Sequence, residues 1–188
     1  YPMSQDPATS VSEVRRKKIW APDNDLGALK AFEAFGISPI PLPYGEVLMG
    51  LQTGLINGIA SPPVGTLILQ WHTQVSYALD LPLLYVYGLF VLSEKAFNKL
   101  NGSQQITVTK ILTEAVSLVN TAAKNDDQKA KAALGRQGIR WLTPDAPDFQ
   151  EWDRLAAAAR VAMVKDGYVS KSVHDDVVVL IERSRATD

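Results

Sequence analysis

The sequence predicts an α/β fold, a largely parallel sheet with helices on its faces. Two observations carry this. The first third alternates short strand-like runs with segments of helical period, the pattern that builds parallel sheets. The chain from Ala34 to Ser93 holds only two charged residues, Glu46 and Asp80, while the rest is ordinarily polar. An uncharged stretch of that length, broken by Gly and Pro, suits buried strands and the apolar wall of a ligand cleft.

The elements follow in order. "KKIWAP" reads as a short strand stopped by Pro22. Asp23, Asn24 or Asp25 can cap the next helix, because each offers an oxygen to unpaired N–H groups. Leu26, Leu29, Phe32 and Phe35 recur at helical spacing, and Gly36 is a good stop. "SPIPL" is extended, and its two prolines place it at a sheet edge or a strand end. A helix from Gly45 puts Val47, Leu48, Leu51 and Leu55 on one face and ends at Gly54; "INGIA" returns as a strand. "VGTLILQW" is a short helix, "VSYALDL" a linking strand, and "LLYVYGLFVL" a strand buried on both faces.

From Asn101 to Lys131 the chain is polar and helical, with Ile111, Leu112, Ala115, Leu118, Val119 and Ala122 on one stripe, and Gly135 and Gly138 bracket its end. "IRWLTP" is a short strand. A helix follows, with Asp145 or Asp148 near its start and Gly167 at its stop. Residues 170–183 form a last helix; the run Val177 to Leu180 has strand propensity, but its charged flanks favour helix.

Composition narrows the function. At 188 residues the chain can bury a real core, and its net charge of -1 gives no electrostatic case for nucleic acid or an anionic membrane. The cluster Arg15 to Lys18 reads as the exposed approach to a strand. Without cysteine there is no thiol catalysis, disulfide or thiolate metal site. "YPMSQDPATS" has no apolar signal region, and an exported protein would have lost one. The longest apolar run, Leu81 to Leu92, is too short to cross a membrane. In parallel sheets, ligands bind beyond the carboxyl ends of the strands. Those ends are Trp20 to Asp23, Pro43 to Gly45 and Ser61 to Pro63.

The stretch "GISPIPLPYGEVLMGLQTGLINGIASPP" closely resembles the core motif of solute-binding proteins of tripartite ATP-independent periplasmic (TRAP) transporters. That pattern is a Gly-x-x-Pro strand, a helix opened by an acidic residue, Leu-Gln-Thr-Gly, Asp-Gly and a Pro-containing loop. Here "GISPI", Glu46, "LQTG", "NG" and "SPP" stand in those places. "SVSEVRRKKIWAPDND" and "QGIRWLTPDAPDFQEWD" resemble the flanking pieces. The resemblance implies a periplasmic-binding-protein-like bilobed fold that closes on a small organic molecule and hands it to a membrane permease. Residues 1–82 would form the α/β ligand-binding lobe. Residues 83–188 would hold the linking strand, the long helix and the C-terminal helices returning to the other, largely absent lobe. An exposed surface left by that lobe could support a dimer. The family's longer chains imply a fragment covering roughly their second half. No cofactor, metal or nucleic acid is implied, and the location is periplasmic.

Family members commonly carry an arginine on the strand ending "KIxxP" to clamp a ligand carboxylate, a task suited to its planar fork. Trp20 stands at that position, so the usual carboxylate site is depleted, and Lys18 would share its face only in a regular strand. The family's aromatic before the acidic helix start matches Tyr44, and its polar loop residue matches Ser61. Each has a plainer reading: core tryptophan for Trp20, helix-entrance staple for Tyr44, loop polarity for Ser61. Trp71 and His72 form either a cleft rim or ordinary packing between lobes. Tyr85 and Tyr87 share a strand face that lines either the cleft or the hinge. Glu46 offsets a helix dipole, and Gln52 is helix surface or a hydrogen-bonding spacer. For enzyme chemistry there is no nucleophile elbow, phosphate loop or dinucleotide fingerprint, and His174-Asp175-Asp176 lacks metal-ligand spacing. The rival function is a ligand-responsive receptor or protein-interaction module on the same fold.

Overall fold

The computed structural model describes residues 1–83, 86 and 88–185. Its centre is a six-stranded mixed sheet in the order β3-β2-β4-β1-β5-β6. The strands are β1 (Pro2–Ser4), β2 (Ile19–Pro22), β3 (Ile40–Leu42), β4 (Gly58–Ala60), β5 (Tyr77–Leu79) and β6 (Arg140–Leu142). β2 pairs in parallel with β3 and β4, and β5 in parallel with β6; β1 runs antiparallel to both β4 and β5 and joins the two groups. The helices are α1 (Val11–Arg15), α2 (Leu26–Ala34), α3 (Val47–Thr53), α4 (Pro63–Ile68), α5 (Glu94–Phe97), α6 (Gly102–Arg136), α7 (Ala146–Lys165) and α8 (Lys171–Arg185).

Strand alternation assigns the two faces. Trp20, Ile59, Met3 and Ala78 point to one side, where Val47 and Leu51 of α3, Trp71, and Leu134 of α6 close a core. Ile19, Ala21 and Leu79 point to the other, against Val11 and Val14 of α1, Phe32 and Phe35 of α2, and Trp152 of α7. Trp152 is tied at both ends: its ring lies 5.7 Å from that of Phe35, and its indole N–H donates to Thr9 O at 2.8 Å. The result is a three-layer α/β/α sandwich.

Local chemistry explains the element ends. Ser10 and Glu13 close a capping box on α1, Asp25 caps α2, and Asp145 caps α7 through the amide of Asp148. β3, with its prolines, is an edge strand as expected. A 3₁₀ turn, Tyr44–Glu46, leads into α3, which Gly54 ends at φ 72°. Leu55 lies past that stop and is half-exposed, off the buried face that the helical spacing assigned to it.

The "LQTG…NG" motif is a structural knot. Thr53 Oγ1 donates to Met49 O at 2.9 Å, and Gln5 Nε2 donates to Leu51 O at 3.1 Å. The Lys18 amide donates to Asn57 Oδ1 at 2.7 Å, while Lys18 Nζ donates to Gly54 O at 3.0 Å. Gly58 has no room for a side chain, since a Cβ there would meet Ile19 Cδ1 at 2.7 Å and Met3 O at 3.1 Å.

One expectation changes. Leu83 to Leu92 is not a buried strand: its described residues pair with no strand, and Leu89, Phe90 and Val91 are exposed. A strand needs a hydrogen-bonded neighbour, and this segment meets none among the described residues. Beyond residue 82, β6 adds beside β5 and α7 packs on α2. The sequence also hides β1 and α1. The long helix runs to Arg136, past Gly135, and stops at Gly138, whose φ is 99°. Its apolar stripe is largely exposed, with Ile111, Leu118 and Val119 facing outward. Residues 171–185 are helical, not strand.

Candidate functional site

Five strands point their carboxyl ends to one edge of the sheet. On the β3-β2-β4 side that edge carries an aromatic cluster. Trp20 lies edge-on to Tyr44 and to Trp71, each at 5.0 Å between ring centroids, and Tyr44 stacks on Trp71 at 6.3 Å with 17° between planes. Trp20 is 2% exposed and Tyr44 56% exposed, so Tyr44 is the face that this cluster offers to solvent. The Trp20 indole N–H is committed to Leu42 O at 2.8 Å, which leaves it no free polar group. Trp71 is buried as a core residue.

Ser61 is buried in the turn after β4, its amide donating to Tyr1 O at 3.1 Å and its hydroxyl to Pro62 O at 3.1 Å. His72 Nδ1 lies 3.4 Å from Thr66 O, beneath α4. Tyr85, with Tyr87, falls outside the described residues. The structure therefore brings Trp20, Tyr44 and Trp71 together, and holds Ser61 at the same edge by its backbone.

Positive charge at this edge is sparse. The strand-end residues 22–25, 42–45, 61–63 and 143–145 contain no Lys or Arg. Lys18 does not substitute for the missing arginine, because its ammonium is spent on Gly54 at the opposite edge. Arg15 is likewise engaged there, donating from Nε to Phe35 O at 2.8 Å. Lys131, from α6, brings a cation to the carboxyl edge. It pairs with Asp80 at 2.5 Å, just past β5, and its ammonium sits 4.7 Å above the Trp141 ring and 5.5 Å above Tyr1. Trp141 Nε1 is buried beside it with no hydrogen-bond partner. Among the described residues no group of three or more His, Cys, Asp or Glu is placed to hold a metal ion, and no helix is long and apolar enough to cross a membrane.

The sequence reading missed Lys131, Tyr1 and Trp141. Asp80 carried a legible signal, since a lone carboxylate in an uncharged stretch needs a partner. Nothing in the spacing linked it to a residue on a helix far along the chain.

Residues 3–165 match the family described as bacterial extracellular solute-binding protein, family 7. The chain belongs to this family. Among the family-7 relatives, the 2,3-diketo-L-gulonate-binding periplasmic protein YiaO of Escherichia coli is 27% identical over 165 residues, 87% of this chain and 49% of that one. The ectoine-binding periplasmic protein TeaA of Halomonas elongata is 46% identical over 59 residues, 31% of this chain and 17% of that protein. A TRAP periplasmic solute-binding protein of Ochrobacterium anthropi, solved with bound L-fuconate, superposes with a TM-score of 0.79 at 21% identity, covering 94% of this chain and 56% of that one. The chain spans at most about half the length of these curated relatives. The chain thus shares the fold of a little over half of that TRAP periplasmic solute-binding protein.

Proposed function

We propose that the family-7 chain is part of the extracytoplasmic solute-binding subunit of a TRAP-type transporter. It works in the periplasm, captures one small organic molecule and presents it to a membrane permease. The family match across residues 3–165 carries this reading. The carboxyl edge is its site, with the Tyr44 ring as the contact surface, Trp20 and Trp71 supporting that ring from behind, and Ser61 and His72 at the margin. The mechanism is a population shift: a ligand that touches both lobes only when they are closed favours closure by its differential affinity. No catalytic step is part of this reading.

The cargo is an organic acid or a more apolar molecule. The ligands named for these relatives, 2,3-diketo-L-gulonate, ectoine and L-fuconate, all carry a carboxylate. With Trp20 in the arginine position, a carboxylate would be met by a cation outside these strand ends. The exposed apolar faces of α6 and α8 are where the other lobe and the hinge would pack, and if left bare they would favour a dimer.

Mass spectrometry of small molecules released by denaturing the natively purified full-length protein tests this. A carboxylic acid or a compact apolar solute in stoichiometric amount is the expected result. Substituting Tyr44→Ala should then weaken that molecule's binding ten-fold or more by calorimetry, as for an aromatic anchor. A full-length protein that releases nothing and binds none of the three named compounds would count against transport and for an interaction module.

A further inference from the structure

The turn that carries Ser61 leads into α4 through two prolines. Pro62 holds the cap position and Pro63 the first turn, so α4 has no side-chain cap of its own. Proline offers no side-chain oxygen, yet the first amides of a helix need acceptors. The structure supplies one from far along the chain: the Val64 amide donates to Asp127 Oδ1 of α6 at 3.2 Å. One helical turn later on α6, Lys131 pairs with Asp80 at the end of β5. Asp80 in turn donates its amide to Leu142 O at 2.8 Å, just where β6 ends. Two charged side chains on one face of α6 therefore hold two strand ends of the same edge.

We propose that Asp127 and Lys131 are positioning residues of the ligand-facing edge. Asp127 caps α4 from the neighbouring helix α6 and so fixes the Ser61 turn; Lys131 fixes the end of β5 through Asp80. Neither needs to touch the ligand. The proposal rests on the carboxyl edge being the site, but its test needs no ligand, so it can fail separately from the transport reading.

The experiment is amide hydrogen exchange, resolved by residue, on the full-length protein and its variants. Asp127→Ala should speed exchange at Val64 and at Ser61 about ten-fold or more, while Ile59 in β4 stays unchanged. Asp127→Asn, which keeps an acceptor of the same length, should restore both amides to within about three-fold of wild type. Lys131→Met should speed exchange at Asp80 and leave Val64 alone. If Asp127→Ala does not fold, Asp127→Ser, whose hydroxyl is too short to reach, gives the same comparison. Unchanged exchange at Val64 would overturn the capping role. Faster exchange at Val64 with Ser61 unchanged would overturn the positioning of the turn.

Discussion

Replacing Trp20 separates a buried anchor from a ligand contact. The side chain is 2% exposed, meets two aromatic rings at 5.0 Å, and donates its N–H to Leu42. A buried tryptophan removes roughly 200 Å² from water. At about 25 cal/mol per Å² that is about 5 kcal/mol, against about 3–5 kcal/mol for Trp→Ala in protein cores. The ring contacts are already inside that figure, so Trp20→Ala should cost about 4 kcal/mol. Trp20→Phe keeps most of the ring contact and loses the hydrogen bond, worth about 1 kcal/mol, plus a little buried area, for about 2 kcal/mol in total. For a chain of this size each kcal/mol lowers Tm by about 2–4 °C. The assay is urea unfolding followed by far-UV circular dichroism, which does not depend on the fluorophore removed. A Trp20→Ala protein within about 1 kcal/mol of wild type would refute the core assignment and return Trp20 to the exposed cleft wall.

Other outcomes follow from single contacts. Gly58→Ala should destabilise by about 1–3 kcal/mol in the same urea assay, because its Cβ would press on the Ile19 side chain and the Met3 carbonyl. Gly54→Ala meets open space but keeps a left-handed φ of 72°, so about 1 kcal/mol is expected, clearly less than at Gly58. The Glu13 carboxylate accepts the amides of Thr9 and Ser10, which holds its carboxyl below the ordinary glutamate value. A depressed folded-state pKa gives stability that is present above the unfolded value and lost as pH falls through the folded one. Acid should therefore loosen the start of α1, and a carboxyl titration by NMR should find Glu13 below a free glutamate.

The strand-helix alternation from residue 19 to 60 was legible because its period changes cleanly at Gly36, Gly54 and the prolines. β1 was not, since three residues give no period and its pairing depends on partners far along the chain. The run Leu83 to Leu92 misled because apolar content reports a tendency to be covered, not the presence of a neighbour to pair with. For the proposed site, Trp20, Tyr44 and Trp71 could be nominated from the sequence, but which of them faces solvent could not. Depth depends on register, and register is a property of the assembled sheet. The most recognisable motif, "LQTG…NG", lies at the opposite edge from the proposed site, where Gly54 and Asn57 accept hydrogen bonds from Lys18.

The single antiparallel strand has a consequence for the order of assembly. β3, β2 and β4 come from one stretch of chain, residues 19–60, whereas β5 and β6 are separated by α5 and α6, and within the sheet the two groups are joined only by β1. Ser4 pairs with Gly58 on one side and Tyr77 on the other, so this strand must wait for both halves. Closing loops that long costs entropy before any contact repays it. The slow step in folding is thus expected to be the threading of three residues into a gap, and until it happens two inner strand edges stand open to any other extended chain.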